Sequence, residues 1–421
     1  MNKRVIQVEE QLPLLEMIPL SFQHLFAMFG ASVLVPILFN INPATVLLLN
    51  GIGTLLYIFI TKGKIPAFLG SSFAYLSPVF AILSSYSYEF ALGGFIVSGL
   101  IFVSVAMIVK FIGVKWIDIV FPPAAMGAII AIIGLELAPT AAKMAGLVLD
   151  ANNPDLYLNP KVLLVSICTL SIVVLGNVAF KGFLGIIPIL IGVISGYIIS
   201  LFVGIVNFKP VADAAWFAIP TMYTPAFNIT AIVTILPATL VVIAEHIGHL
   251  VVTSNIVGKD LQKDPGLHRS LLGDGLSTTI SGLFGSVPTT TYGENIGVMA
   301  ITKVYSVWVI AGAAIISIAI SFFGKLAAAI QTIPTPVMGG ISLLLFGVIA
   351  TSGLRMLVES KVDYSKPRNL TLTSVVLMIG LSGAHIQIGT VTLAGMALAT
   401  VVSIFLSLLF KVFEIIGIMN E

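Results

Sequence analysis

Charge is what this 421-residue chain has least of. Asp, Glu, Lys and Arg make up 9% of it, against roughly 25% in a soluble domain, which excludes an ordinary water-soluble globule. Neither sign prevails, since 20 basic and 18 acidic residues leave a net charge of +2. No basic surface for nucleic acid and no charged tail is therefore expected. One cysteine, Cys168, rules out an intrachain disulfide or a cysteine metal cluster and reads as a small buried side chain in an apolar run. The first residues, Met1-Asn2-Lys3-Arg4 and an acidic stretch around Glu9, Glu10 and Glu16, lack the short apolar core and small-residue site of a cleaved signal.

What is abundant is apolar surface, at 58% of residues. Uncharged runs such as 17–61, 182–208, 326–354 and 369–410 each exceed the roughly 20 residues a membrane helix needs. Turn signals at Asn40-Ile41-Asn42-Pro43 and Ser382-Gly383-Ala384-His385 divide the longest ones. The expected fold is an all-α polytopic membrane protein of fourteen spans: 17–39, 44–61, 68–84, 90–110, 119–138, 161–180, 183–206, 229–252, 270–286, 289–300, 304–323, 335–353, 370–387 and 391–417. Alternating the loops puts sixteen of the twenty basic residues on one side and only Lys143, Lys161, Lys209 and Lys325 on the other. The positive-inside rule then places both termini in the cytoplasm of a cell whose cytoplasmic membrane the chain crosses many times.

The chain also repeats itself. Shifted by 222 positions, Gln23-His24 meets Glu245-His246, Gly51 and Gly53 meet Gly273 and Gly275, and Gly63 and Pro66 meet Gly285 and Pro288. Shifted by 212, the segment Pro122–Ile129 matches Pro334–Ile341 at four of eight positions. Two halves of seven spans are expected, and because seven is odd the second enters the membrane inverted. Spans 3 and 10 are corresponding members, both short and broken by Gly, Ser, Thr and Pro. Their openings, Phe68–Tyr75 and Pro288–Asn295, favour short extended stretches that meet as a small antiparallel β pair lining a polar cavity.

Ionisable groups gather there. Glu245 and His249 stand four residues apart on one face of span 8, with His246 turned about 100° away, and Glu294 sits in span 10. Burying such groups in a membrane costs several kcal/mol, so they are expected to face a cavity and serve a function; a structural polar cluster is the plainer alternative. The order Glu245-His246-Ile247-Gly248-His249 inverts the His-Glu-x-x-His zinc motif, so no metal site is expected. Asp274 reads as a charge at a helix N-terminus, and Glu136 as a side chain reaching headgroups near the outer end of span 5. His385 falls in a short outer loop, and His268 and Arg269 in a cytoplasmic one.

The run Glu294-Asn295-Ile296-Gly297-Val298-Met299-Ala300-Ile301-Thr302-Lys303 resembles the signature of the nucleobase-ascorbate transporter family: acid or amide, Asn, x, Gly, four residues, then Thr and a base. Gln23-His24, Ser71-Ser72-Phe73 and the Glu245-to-His249 spacing match as well, and the likeness runs from Leu14 to the C-terminus. Within the family the chain most resembles bacterial uracil-transporting members. The resemblance implies a core domain (17–110 and 229–323), a gate domain (119–206 and 335–417), and proton-coupled nucleobase uptake. It further implies a homodimer and no cofactor beyond the coupling proton. Purine-selective members usually carry Gln in place of Glu294 and Asp in place of His249, so both residues point to uracil. Phe346 stands where some relatives have Tyr, which removes a hydroxyl from that position.

Uracil offers two N–H donors and two carbonyl acceptors. The expected complement is Glu245 and Glu294 accepting the ring N–H groups, backbone N–H groups of Phe73, Gly293 and Ala31 donating to the carbonyls, and Tyr292 and Phe73 packing near the ring. His249, or Glu245 one turn away, carries the coupling proton. Asn295, Gln23 and His24 stand behind them as supporting polar groups. A xanthine or urate permease is the alternative within transport, and an anion exchanger or channel on a related inverted-repeat plan lies outside it. No nucleophile-base pair suggests an enzyme.

Overall fold

Helices begin where the sequence supplies a cap. Asn42, Asn159 and Asn228 accept backbone N–H groups from Ala44, from Lys161, and from Thr230 and Ala231, and Pro43 and Pro160 follow the first two, where a missing N–H costs nothing. The computed structural model describes residues 5–388 and 391–419. The first half holds α1 (Leu14–Leu38), α2 (Pro43–Ile60), strand β1 (Leu69–Ser71), α3 (Leu76–Leu83), α4 (Tyr88–Ile112), α5 (Lys115–Val120), α6 (Pro123–Met144), α7 (Pro160–Ala179), α8 (Pro188–Val203) and α9 (Lys209–Asp213). The second holds α10 (Ile229–Val257), α11 (Leu267–Phe284), strand β2 (Thr289–Thr291), α12 (Gly293–Thr302), α13 (Val307–Ser321), α14 (Gly324–Gln331), α15 (Thr335–Glu359), α16 (Pro367–Leu381), strands β3 (His385–Ile388) and β4 (Val391–Ala394), and α17 (Gly395–Ile416).

Eight described helices, α1, α2, α4, α6, α7, α10, α15 and α17, are long and apolar enough to cross a membrane. Six other described helices in the expected set fall short: α8, α13 and α16 run only 16, 15 and 15 residues, and α11, α3 and α12 differ in kind. Helix α11 buries Ser270, Asp274, Ser277, Thr278 and Ser281 against protein, while Leu283 and Phe284 at its end stay exposed. The third and tenth segments are half-helices, α3 and α12, each entered from a three-residue strand. Between α16 and α17, where a plain turn was expected, β3 and β4 pair antiparallel.

The packing comes in matched pairs. Helix α4 lies along α11 as α13 lies along α2; α1 packs on α13 as α10 packs on α4. Likewise α15 on α7 is answered by α6 on α16, α7 on α8 by α16 on α17, and α1 on α8 by α10 on α17. Each contact turns into its mate when the two halves exchange places, so the packing has the internal twofold that the sequence repeat implies. Two bundles result: α1, α2, α4, α10, α11 and α13 with the half-helices, and α6, α7, α8, α15, α16 and α17. In each, glycines let helices touch backbone to backbone. A Cβ on Gly99 or Gly275 would strike the other's carbonyl across α4 and α11, and Gly127 and Gly353 face each other in the same way across α6 and α15. Without a hydrophobic drive between helices in lipid, such close contact is the main source of association.

Outside the helices, the N-terminal segment straps one end of the first bundle. Ile6 N–H donates to Lys303 O (3.0 Å), and Ile6 O accepts from Tyr305 N–H (2.9 Å).

Candidate functional site

The site is built where the two half-helices begin. Strands β1 and β2 pair antiparallel, Leu69 opposite Thr291, Gly70 opposite Thr290 and Ser71 opposite Thr289. The ladder continues at both ends, Ser72 N–H donating to Pro288 O and Tyr292 N–H to Phe68 O, each at 3.0 Å. Beyond it the chain turns helical at Phe73 and at Gly293, and no side chain caps either start. Two helix N-termini, with their unpaired N–H groups and positive dipole ends, thus approach one region from opposite sides.

Exposure picks out what faces the space between them. Phe73, Glu245, His249 and Glu294 are partly exposed and Gly293 is exposed, whereas Ser72, Ala74, Ala244, His246, Gly248 and Asn295 around them are buried. Glu245 has one carboxylate oxygen, Oε2, without a protein partner among the described residues. The His249 ring stands over the start of α12, where a Cβ on Gly293 would come within 3.4 Å of Nε2. Its Nδ1 is hydrogen-bonded to Thr291 Oγ1 at 3.1 Å, which ties α10 to β2. Phe73 meets Phe346 of α15 edge to face at a centroid distance of 6.0 Å, across the boundary between the bundles.

The supporting residues hold backbone. Tyr292 is buried, and its hydroxyl donates to Ser71 O (3.1 Å) and lies 3.4 Å from Ser32 Oγ; it braces β1 from behind instead of lining the accessible space. Asn295 Nδ2 donates to His24 O (3.0 Å) and lies 3.1 Å from His24 Nδ1, pinning α12 to α1. Gln23 is buried in α1. Ala31 lies in α1 too, and its side chain is outside the described residues.

Two expectations need correction. Asp274 lies inside α11, not at a helix N-terminus, and its Oδ2 is 2.9 Å from His246 Nδ1, both side chains fully buried. His246 Nε2 is hydrogen-bonded to Ser270 Oγ (2.7 Å), which in turn bonds Tyr57 OH (2.7 Å), while Thr289 Oγ1 of β2 donates to Asp274 Oδ1 (3.2 Å). This chain of polar groups ties β2 to α10, α11 and α2. No sequence spacing links His246 to Asp274, since 28 positions and a loop separate them; the only signal was two ionisable residues in adjacent apolar spans. Glu136 likewise does not reach for headgroups: it accepts from Ser77 Oγ (2.6 Å) and Met396 N–H (3.0 Å).

Comparison with known proteins accounts for this arrangement. Residues 15–389 match the model of a family described as "Permease family". Over 417 residues the chain is 65% identical to the uracil permease of Escherichia coli (strain K12), covering 99% of this chain and 96% of that one. It is 62% identical to the uracil permease of Paenibacillus larvae subsp. larvae, covering the whole of both. Among solved structures, the murine solute carrier 26 family member A9 anion transporter in the inward-facing state superposes with a TM-score of 0.73 at 12% identity, over 96% of this chain and 69% of that one. At that identity the likeness is one of fold. The chain is thus a multi-pass membrane transporter and not an enzyme, and it belongs to the nucleobase-ascorbate transporter family.

Proposed function

We propose that this permease is a proton-coupled uracil symporter of the cytoplasmic membrane, with fourteen spans in two inverted seven-span repeats and both termini in the cytoplasm. The bundle of α1–α4 and α10–α13 serves as the core domain and that of α6–α8 and α15–α17 as the gate, the core moving against the gate to expose the site to each side in turn. A second copy of the chain is the expected partner in the bilayer.

The observation that carries this reading is the donor and acceptor set. Two carboxylates, one with an unpartnered oxygen, face two uncapped helix N-termini. Uracil is complementary: its two N–H groups donate to Glu245 and Glu294, and its carbonyls accept from the backbone N–H groups of Phe73 and Gly293, with the Phe73 ring against its face. A substrate anion would meet two acidic side chains, which disfavours anion exchange despite the shared fold. His249 is the proton carrier or its relay, one turn from Glu245 and bonded to Thr291 just before the start of α12. Gly293, Gly297 and Ile301 form an exposed stripe on α12 at successive i, i+4 positions, leading from the site towards Lys303. We read this as an inward-facing state.

Radiolabelled uracil uptake into proteoliposomes under an imposed pH gradient tests the proposal. Accumulation that collapses with a protonophore and ignores excess xanthine is the expected result. Accumulation of xanthine in place of uracil, or uptake indifferent to the gradient, refutes it.

A further inference from the structure

Among the described residues, Glu136 is the one acidic side chain that joins the two bundles beside the site. It belongs to α6 of the second bundle, yet it accepts from Ser77 Oγ of α3 (2.6 Å), one turn after Phe73, and from Met396 N–H at the start of α17 (3.0 Å). Around this triad Phe73, Ala74, Ile133, Leu137 and Met396 close together, leaving no space that admits a water molecule. The carboxylate sits where a side chain at Gly395 would be: an added Cβ there would collide with it, and Gly395 holds a φ of +52°, a conformation that favours glycine. The fold has therefore left room for this carboxylate on its α17 side.

The contact lies on one side of the site. Helix α3 runs from β1 away from the basic loop holding Lys62 and Lys64, and α6 runs from the end near Lys115 towards the weakly charged loop at 145–159. Ser77 and Glu136 thus meet on the side of Phe73 opposite the basic loops, while the exposed stripe on α12 opens towards them. We propose that Glu136 is the outer latch of the transport cycle, a positioning residue whose bonds to Ser77 and Met396 hold the half-helix bearing Phe73 against α6 and α17 and so close the external path. Opening to the outside requires the Ser77 bond, the one that crosses between the bundles, to part, while the Met396 bond keeps the carboxylate in place within the second bundle. This rests on the alternating-access reading above, but its test needs no substrate.

In a Cys168→Ser background, Ile133→Cys reports on the outer seam and Gly297→Cys on the inner path. Ile133 is buried just inward of Glu136, and a Cβ at Gly297 meets nothing within 4 Å. With Glu136 intact, Ile133→Cys should resist a membrane-impermeant maleimide added to intact cells. Adding Glu136→Ala should raise its labelling about tenfold or more, the factor carried by one charge-assisted hydrogen bond. The same change should lower labelling of Gly297→Cys in inside-out vesicles, because one equilibrium governs both; mere loosening would raise both and would overturn the latch. Glu136→Gln should fall between the parent and Glu136→Ala, since the amide keeps an acceptor for Met396 and a donor for Ser77 but loses the charge. Should Glu136→Ala fail to reach the membrane, Ser77→Ala removes the bond between the bundles and should shift both labels in the same directions as expected for Glu136→Ala; protection of Ile133→Cys in every variant refutes the proposal. Loss of uracil binding by the parent chain would refute the substrate reading alone and leave the labelling result standing.

Discussion

Replacing Glu245 with alanine probes the site most directly. Its carboxylate oxygen Oε2 has no hydrogen-bond partner among the described residues, so a loss of affinity on truncation reports on the ligand. A hydrogen bond to a charged acceptor contributes about 1.5–3 kcal/mol, and each 1.4 kcal/mol is about tenfold in affinity. Uracil affinity should therefore fall by about ten- to hundredfold. Glu245→Gln keeps an acceptor but loses the charge, and should fall between wild type and alanine. Calorimetric titration of purified protein with uracil measures the effect, with a thermal melt to show that the fold is intact. If Glu245→Ala binds uracil within twofold of wild type while folded, the carboxylate does not accept a uracil N–H and the proposed arrangement is wrong.

Glu294→Gln should weaken uracil uptake and let xanthine compete, which a competition assay in proteoliposomes reads; unchanged uracil affinity removes Glu294 from recognition. His249→Ala should retain uracil binding but lose the response to an imposed pH gradient, and a full response in that variant would place the coupling proton elsewhere. Asp274→Ala leaves buried His246 without its acidic partner, a penalty of about 1–3 kcal/mol, so the detergent melting temperature should drop; an unchanged melt would show that the cluster does not contribute to stability. Gly275→Val puts a branched side chain into the Gly99 backbone across α4 and α11, and folded yield measured by size-exclusion chromatography should collapse, since helix ridges this close leave no room for it.

The membrane class was legible in composition, because a chain 9% charged and 58% apolar has no other stable solvent. The inverted architecture was legible in Gly and Pro positions that recur at two offsets, 222 and 212, because such residues mark close packing and chain breaks that do not tolerate exchange. Glu245 and His249 on one face followed from the helical period alone, and the importance of Glu294 from the cost of placing a carboxylate in an apolar segment. What the tertiary structure decided are relations across sequence distance. Tyr292, expected beside the ligand, is buried and turns its hydroxyl to Ser71 O of the paired strand. Asp274 finds His246 and Glu136 finds Ser77 only once helices 28 and 59 positions apart are packed together. Periodicity specifies the face a residue occupies on its own helix; which helix that face meets depends on how the two repeats pack, and no local pattern encodes it.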